Sequence, residues 1–323
     1  MRIKKSKRIV NQKELHKYEV KYNQRLIDFL IETFPGKSRN NIKTLLTKKV
    51  ILVDGAPVSQ FDFEVVKGDI IQISPVSVSS TKQKASKLKI LFEDDNYLVI
   101  NKPAGLLSVA SDKEKTITAY RLCMDYVHTQ DVHNRIFVTH RIDKETSGVL
   151  LFTKNEKLRN LLQDNWNDLV KDREYIALIE GQMDKDEGTI ISWLRESSTN
   201  LMYSASKKGD GQKAITKYKC LEKNEKYSLL DVHIETGRKN QIRVHFKENG
   251  HPIVGDEKYQ STLSPINRLG LHAKKLVITN PLDNNILTFV ANEDPIFRKV
   301  FDKNFVEIKP KKVEKDKLKK KKH

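Results

Sequence analysis

The run His140-Arg141-Ile142-Asp143-Lys144-Glu145-Thr146-Ser147-Gly148 lies between two apolar stretches, Ile136-Phe137-Val138 and Val149-Leu150-Leu151-Phe152. Short apolar runs bounded by polar turns are the pattern of buried strands. The spacing therefore predicts a polar loop, dense in ionisable groups, held between two core strands. Loops carried on rigid scaffolds are where chemistry concentrates. This one offers a short carboxylate, Asp143, with the Arg141 guanidinium two residues before it, the Thr146 and Ser147 hydroxyls after it and His140 at its entry. Such neighbours suit a carboxylate aimed for nucleophilic or electrostatic work. On spacing alone the same run also reads as an Arg-Asp pair in a surface turn.

Length and charge narrow the setting. A chain of 323 residues is long enough for two domains, one small and one large. The formal charge of +18 points to a polyanionic partner, with nucleic acid ahead of an anionic membrane surface. From Lys309 onward nine lysines against Glu314 and Asp316 account for +7 of this, and the rest of the chain carries +11. Cys123 and Cys220 are the only cysteines, too few for a disulfide framework or a zinc site and in keeping with a reducing compartment. The basic N-terminus is not followed by an apolar run, and no stretch of about 18 apolar residues occurs. A cytoplasmic protein without a membrane span is expected.

Residues 1–20 are polar and basic without a period and read as an arm. Asn23 is placed to cap a helix with Leu26, Phe29, Leu30 and Phe34 at helical spacing, ended by Pro35-Gly36. Ser38 caps a second, with Ile42, Leu45 and Leu46 toward a core and Arg39 and Lys43 one turn apart on another face, suited to phosphates. Strands around Val50–Val53, Val58 and Ile70–Ile73, with turns at Asp54-Gly55 and Lys67-Gly68-Asp69, complete the segment. The run from Ser38 to Lys43 through Val53-Asp54-Gly55 resembles the S-four type (alpha-L) RNA-binding domain, over residues 21–75. The alternative is a small helical domain with a solvated basic face. Residues 76–87, rich in serine and lysine, read as a linker.

From residue 88 to 303 consecutive strands joined by tight turns predict an α+β domain with a mainly antiparallel sheet. Expected strands are Ile90–Phe92, Tyr97–Ile100, Arg173–Gly181, Ala214–Leu221 and Tyr227–Ile234, with helices at Thr116–Val127 and Asn155–Trp166. The segment 182–213 carries hairpin signals at Glu187-Gly188 and Gly209-Asp210-Gly211. A second polar cluster, Thr236-Gly237-Arg238-Lys239-Asn240-Gln241-Ile242-Arg243-Val244-His245, is expected as a helix capped by Thr236, with Arg238, Gln241 and His245 on one face. Cations and amides at a helix start suit phosphate or base contacts, though a solvated basic helix has the same pattern. A helix near Pro295–Phe301 and a lysine-rich tail from 304 close the chain.

Six collinear blocks together resemble the RluA class of RNA pseudouridine synthases. They are Glu93-Asp94-Asp95 with Val99 to Gly105; His140 to Leu151; Arg173-Glu174-Tyr175; Thr236 to His245; Gly250-His251-Pro252-Ile253 with Gly255-Asp256; and Leu271-His272-Ala273. The resemblance implies a pseudouridine synthase fold with a central catalytic cleft and an isomerase of uridines in ribosomal or transfer RNA, without cofactor or metal. By the same resemblance Asp143 is the nucleophile or electrostatic catalyst, Arg243 its ion-pair partner and Tyr175 the aromatic that stacks on the target base. Arg141 then helps extrude that base, and His140, Thr146, Arg238, Lys239, Gln241, Arg39 and Lys43 complete the substrate-binding set. Asn240 stands where the family usually has histidine, and Gln260 where glycine is usual. Large-subunit ribosomal RNA is the leading substrate and a monomer the default. The competing readings are a non-catalytic RNA-binding or ribosome-assembly protein and a nucleosidase, which would use a second paired carboxylate.

Overall fold

The computed structural model describes residues 17–48, 50–54, 56–73, 88–110, 117–131 and 134–308. The chain divides into two compact units, Met1–Lys87 with Asp125–His133, and Leu88–Met124 with Asn134–His323.

The first unit runs β1 (Lys17–Glu19), β2 (Gln24–Arg25), α1 (Leu26–Thr33), α2 (Arg39–Thr47), β3 (Ile51–Val53), β4 (Ala56–Val58), β5 (Glu64–Val65) and β6 (Ile70–Ile73). A four-stranded sheet in the order β1-β6-β3-β4 packs with the helices, and β2 pairs with β5. Leu26, Leu30, Ile42, Leu46, Ile51 and Ile71 are fully buried between them. Ser38 caps α2, its hydroxyl accepting from the Asn41 N–H at 3.3 Å, and leaves Arg39 and Lys43 exposed. Two expectations are corrected. Asn23 does not cap α1, because its side-chain oxygen accepts instead from the Lys67 N–H at 2.9 Å. Residues 17–20 are not part of an arm: β1 pairs with β6, and Val20 is buried. The expected linker and most of the arm lie outside the described residues.

From residue 88 the chain continues with β7 (Lys89–Glu93), β8 (Tyr97–Lys102), α3 (Ala119–Gln130, whose part from Asp125 counts with the first unit), β9 (Phe137–Val138), β10 (Ser147–Thr153), α4 (Glu156–Asp164), α5 (Trp166–Leu169), β11 (Val170–Glu180), β12 (Glu187–Glu196), β13 (Met202–Ser204), β14 (Gln212–Lys223) and β15 (Tyr227–Ile234). Then come α6 (Gln241–Glu248), a 3-10 turn (Glu257–Tyr259), β16 (Leu271–Thr279), β17 (Ile286–Val290) and α7 (Ile296–Lys299). Nine strands run in the order β13-β12-β14-β15-β11-β16-β10-β8-β7, with β17 on β16 and β9 on β10. Among the described pairings in this sheet only β10 with β16 is parallel.

Glu187-Gly188, expected as a turn, lies inside β12. A Cβ on Gly188 would sit 2.7 Å from the Tyr218 hydroxyl, so here the glycine marks close approach within a sheet rather than a bend. The expected tail at 304 begins later. The Ile308 N–H donates to the Pro265 carbonyl and Tyr227 Oη to Glu307, at 2.9 and 3.1 Å.

The parallel contact is short and decides where the site lies. β10 is buried along its whole length, as expected of a strand covered on both faces. It meets β16 over two residues only, Ser147 opposite His272 and Gly148 opposite Ala273. In the next strand Tyr175 lies opposite Ala273. One row across three strands thus joins the end of the Asp143 loop to Tyr175. Gly148 has φ +115°, and a Cβ there would stand 2.1 Å from the Ala273 carbonyl oxygen. Both the backbone angle and the approach exclude a side chain. Gly148→Ala is therefore expected to cost roughly 3 kcal/mol or more, read as a fall in the urea midpoint; an unchanged midpoint would mean that this junction relaxes freely.

Candidate active site

Asp143 leaves the loop between β9 and β10, and a turn bond from the Thr146 N–H to the Asp143 carbonyl (3.2 Å) fixes that loop's curvature. The loop is buttressed from below. Lys102 is fully buried, and its ammonium donates to the carbonyls of Pro103, Leu106 and Lys144 at 3.1, 2.7 and 3.0 Å. Burial pushes Lys102 down to about 7, but three carbonyl acceptors match the three N–H groups of the ammonium form. Ser108 adds a bond from its hydroxyl to the Ile142 carbonyl at 2.7 Å.

Two donors converge on one oxygen of the Asp143 carboxylate. Asn240 Nδ2 donates to Oδ2 at 2.5 Å, and Arg243 Nη1 at 3.2 Å. Arg243 is itself held by Asp256, which takes Nε and Nη2 at 2.7 Å each. This fork-to-fork pair is nearly closed to water, with Asp256 1% exposed. Burial opposes the Arg243 charge, yet the bonds and charge of Asp256, joined by Asp143, raise the guanidinium above its ordinary value. Arg243 is a permanent cation locked in one orientation.

Asp143, Asn240 and Arg243 line a cleft of about 370 Å³ together with Arg141, Tyr175, Arg173 and Arg238, a size within the roughly 300–1,000 Å³ range of ligand pockets. Burial pushes the Tyr175 phenol up to about 12, with Asp143 adding to the rise. The ring therefore stays neutral near pH 7. Arg141 is exposed at the cleft, and Asp143 is the one carboxylate among the described lining residues.

The RNA pseudouridylate synthase family profile matches residues 96–248. The chain is 32% identical over 231 residues to the uncharacterised RNA pseudouridine synthase YhcT of Bacillus subtilis, covering 70% of this chain and 76% of that protein. The chain belongs to the RNA pseudouridine synthase family. A further relative is transfer RNA pseudouridine synthase C of Haemophilus ducreyi, 32% identical over 237 residues, 67% of this chain and 95% of that one. Among solved structures, human RNA pseudouridylate synthase domain containing 4 shares the fold, with a TM-score of 0.56 at 22% identity, over 68% of this chain and 94% of that one.

In this pseudouridine synthase the expected residues do not all take the expected places. Asp143, Arg141, Tyr175, Arg238 and Arg243 come together in the cleft. The second polar cluster is not one helix capped by Thr236. α6 starts only at Gln241, because Asn240 adopts a left-handed conformation at φ 53°, which breaks the helix before it. Arg238 therefore lies outside the helix, while Gln241 and His245, one turn apart on α6, both bond Thr216 Oγ1. Gln241 is 3% exposed and wholly engaged: its oxygen accepts from Thr236 Oγ1 and the Arg238 N–H, and its amide donates to the Ile215 carbonyl and Thr216 Oγ1. It lines the cleft and at the same time braces the loop.

His140 and Thr146 line the cleft as well; His140 Nε2 accepts from the Leu151 N–H at 3.0 Å, and burial pushes the ring down to about 4. Thr146 is 2% exposed and serves the loop turn. Lys239 pairs with Glu196 and is absent from the cleft lining. Arg39 and Lys43 lie on α2 of the first unit. Lys102, the Asp256 clamp and the Asn240 donor also shape the site, though none is among the site residues expected from sequence. Lys102 and Asp256 fall within the quoted blocks, and a lysine entering a Pro-Gly turn after a buried strand was the available signal.

One cluster has the ligand types of a metal site: Glu174, Asp231 and His233. Its charges are already matched. Glu174 is paired to Lys274 and Lys275 at 2.8 and 2.5 Å, and His233 Nδ1 bonds Asp172 at 2.7 Å. Burial alone would lower His233, but the Asp172 bond and the charges of Asp172, Asp231 and Glu174 raise it. Burial alone would raise Asp172 and Glu174, but their cationic partners hold both below the usual carboxylate range. A raised histidine contributes stability fully present below its unfolded value of about 6.5, and loses it as pH climbs through the folded value. The carboxylates contribute above about 4 and lose it as pH falls. Stability should therefore decline as pH rises past about 6.5, and His233→Gln should flatten that decline; an unaltered profile in thermal melts would contradict the assignment. Asp256→Ala, which strands a buried guanidinium, should cost roughly 3–5 kcal/mol in chemical unfolding.

Proposed function

We propose that this synthase isomerises uridine in large-subunit ribosomal RNA, with Asp143 as nucleophile or electrostatic catalyst, Arg243 as its partner and Tyr175 against the flipped base. The observation that carries the site assignment is the Asp143 carboxylate, alone among the described lining residues, tied to a locked arginine across a cleft from a neutral tyrosine. Isomerisation breaks the bond from the sugar C1′ to uracil N1 and joins C1′ to uracil C5. The proton leaving C5 is balanced by one gained at N1. The reaction consumes no redox equivalent or nucleotide.

Extruding a base costs a few kcal/mol, and stacking on an aromatic returns roughly 1–3 kcal/mol. The Tyr175 ring supplies that surface; because burial keeps its hydroxyl protonated, the hydroxyl can carry the C5 proton only by passing its own to an acceptor. The exposed Arg141 at the cleft supports a role in filling the vacated place in the RNA. A nucleosidase would carry two carboxylates at the cleft, and the single Asp143 disfavours it.

Ribosomal RNA is favoured by the strong positive charge and by the first unit, which we read as an S-four type RNA-binding domain. Its support is the exposed pair Arg39 and Lys43, with the Lys43 ammonium 5.8 Å from the exposed Phe61 ring. Arg39→Ala with Lys43→Ala should weaken RNA binding and lower the salt slope by roughly 1.4–1.8, as for two lost phosphate contacts. A slope equal to wild type would remove α2 from the RNA interface. Transfer RNA is the second reading, favoured by the likeness to the Haemophilus ducreyi enzyme. Two free cysteines, Cys123 and Cys220, support a cytoplasmic setting; among the described residues no helix is long and apolar enough to cross a membrane.

The deciding experiment is a site-resolved pseudouridine map of total RNA from cells with and without the gene. A mark lost from large-subunit RNA and restored by the gene is the expected result. Loss from transfer RNA would assign the second reading, and no lost mark would favour a non-catalytic RNA-binding protein.

A further inference from the structure

The strongest unassigned arrangement surrounds Asn240, where the family resemblance leads one to expect histidine. Asn240 is 8% exposed, and both ends of its side-chain amide are engaged. At one end Nδ2 stands 2.5 Å from Asp143 Oδ2. At the other, Oδ1 receives Lys258 Nζ at 3.2 Å and Tyr259 Oη at 3.1 Å. An amide could in principle sit either way round, but the partners here leave no choice. Lys258 is an ammonium with donors only. The Tyr259 hydroxyl already accepts from the Met202 N–H at 3.3 Å, so its own proton is directed to Asn240. Two donors therefore fix the oxygen, and the NH2 must face the carboxylate.

The same turn holds the pieces together. Tyr259 lies under both cations, with the Arg243 guanidinium 5.0 Å and the Lys258 ammonium 5.6 Å from its ring centroid. Asp256, which clamps Arg243, also accepts from the Tyr259 N–H at 3.2 Å. The segment 256–259 thus orients both donors that reach Asp143: Arg243 through Asp256, and Asn240 through Lys258 and Tyr259. Left-handed backbone at Asn240, which asparagine tolerates better than most residues, is what turns its side chain back across the start of α6.

We infer that Asn240 is a positioning residue that holds the Asp143 carboxylate in its reactive orientation, and that Lys258 acts on the reaction through Asn240 by fixing which end of the amide faces that carboxylate. This rests on Asp143 acting in the proposed isomerisation. It adds a device to the site: a neutral, non-titrating donor beside the arginine, set in polarity by a lysine from the following turn.

The test is a double-mutant cycle under single-turnover conditions, on an RNA containing the uridine found by the pseudouridine map. Asn240→Ala should slow the chemical step about 100-fold, the scale of one lost preorganised donor, with the Kd for RNA unchanged. Lys258→Met should slow it about tenfold, the scale of one misdirected hydrogen bond, and should add nothing in the Asn240→Ala background. Full additivity, or an effect of Lys258→Met on Kd alone, would mean that Lys258 contacts RNA and would overturn the inference.

A second measurement does not depend on turnover. In the folded full-length protein one side-chain amide proton of Asn240 should resonate far downfield and move upfield in Asp143→Ala. An ordinary amide pair, unmoved by Asp143→Ala, would also overturn the inference. Wild-type protein that fails to isomerise any RNA, yet shows the displaced proton, would sink the proposed function and leave the Asn240 contact standing.

Discussion

The ion pair between Arg243 and Asp256 is the constraint on which the rest of the site hangs. A guanidinium taken out of water is costly unless both edges of its fork are met. Asp256 meets Nε and Nη2, leaving Nη1 as the free prong directed at Asp143. The direction of that prong is therefore decided by a residue outside the reaction. Because the arginine cannot deprotonate or swing, the field at the carboxylate is set before substrate arrives, which is the condition for electrostatic preorganisation.

The sheet supplies the other half of the geometry. Parallel contact between β10 and β16 is limited to two residues, and it is made close by Gly148 against Ala273. The junction is pinned on its side-chain face by Ser147 and His272. His272 Nε2 faces the Ala291 carbonyl at 2.7 Å and so carries the proton, which leaves Nδ1 to accept from the Ser147 hydroxyl at 2.7 Å. Arg268 in turn donates to Ser147 Oγ at 2.6 Å. Fully buried Lys102 then ties the strand end at β8 to the carbonyl of Lys144. With Ser108 bonded to the Ile142 carbonyl on the other side, the loop is held both before and after Asp143, and its exposed members, Arg141 and Lys144 among them, remain available to a polyanion.

Much of this is legible in the sequence, and the parts that are not share a cause. The apolar run after the Asp143 loop, the alternating first half of β14 and the α2 cap at Ser38 are local patterns that fold as expected. By contrast, β15 is buried without alternation from Tyr227 to Leu230, and the run before the loop gives only the two half-buried residues of β9. The cleft set of Asp143, Tyr175 and Arg243 was reachable through the family resemblance, and the structure brings them together. Asn240 interrupts the expected helix with a left-handed backbone, and its partners Asp143, Lys258 and Tyr259 lie beyond the local range of a capping rule. Gln241, His140 and Thr146 all line the cleft. What the sequence does not show is that each also serves the scaffold, Gln241 through the distant strand β14 and His140 through the Leu151 N–H. The Asp256 clamp is thirteen residues from Arg243, and only the fold turns that separation into contact.

The most direct test of this account is release of tritium from RNA labelled at uracil C5, catalysed by the purified protein and by Asp143→Ala. The account predicts release by wild type and none above background by Asp143→Ala, with RNA affinity of the two proteins alike. Release by Asp143→Ala at the wild-type rate would contradict it, because the carboxylate that the Arg243 and Asn240 donors converge on would then have no part in the chemistry.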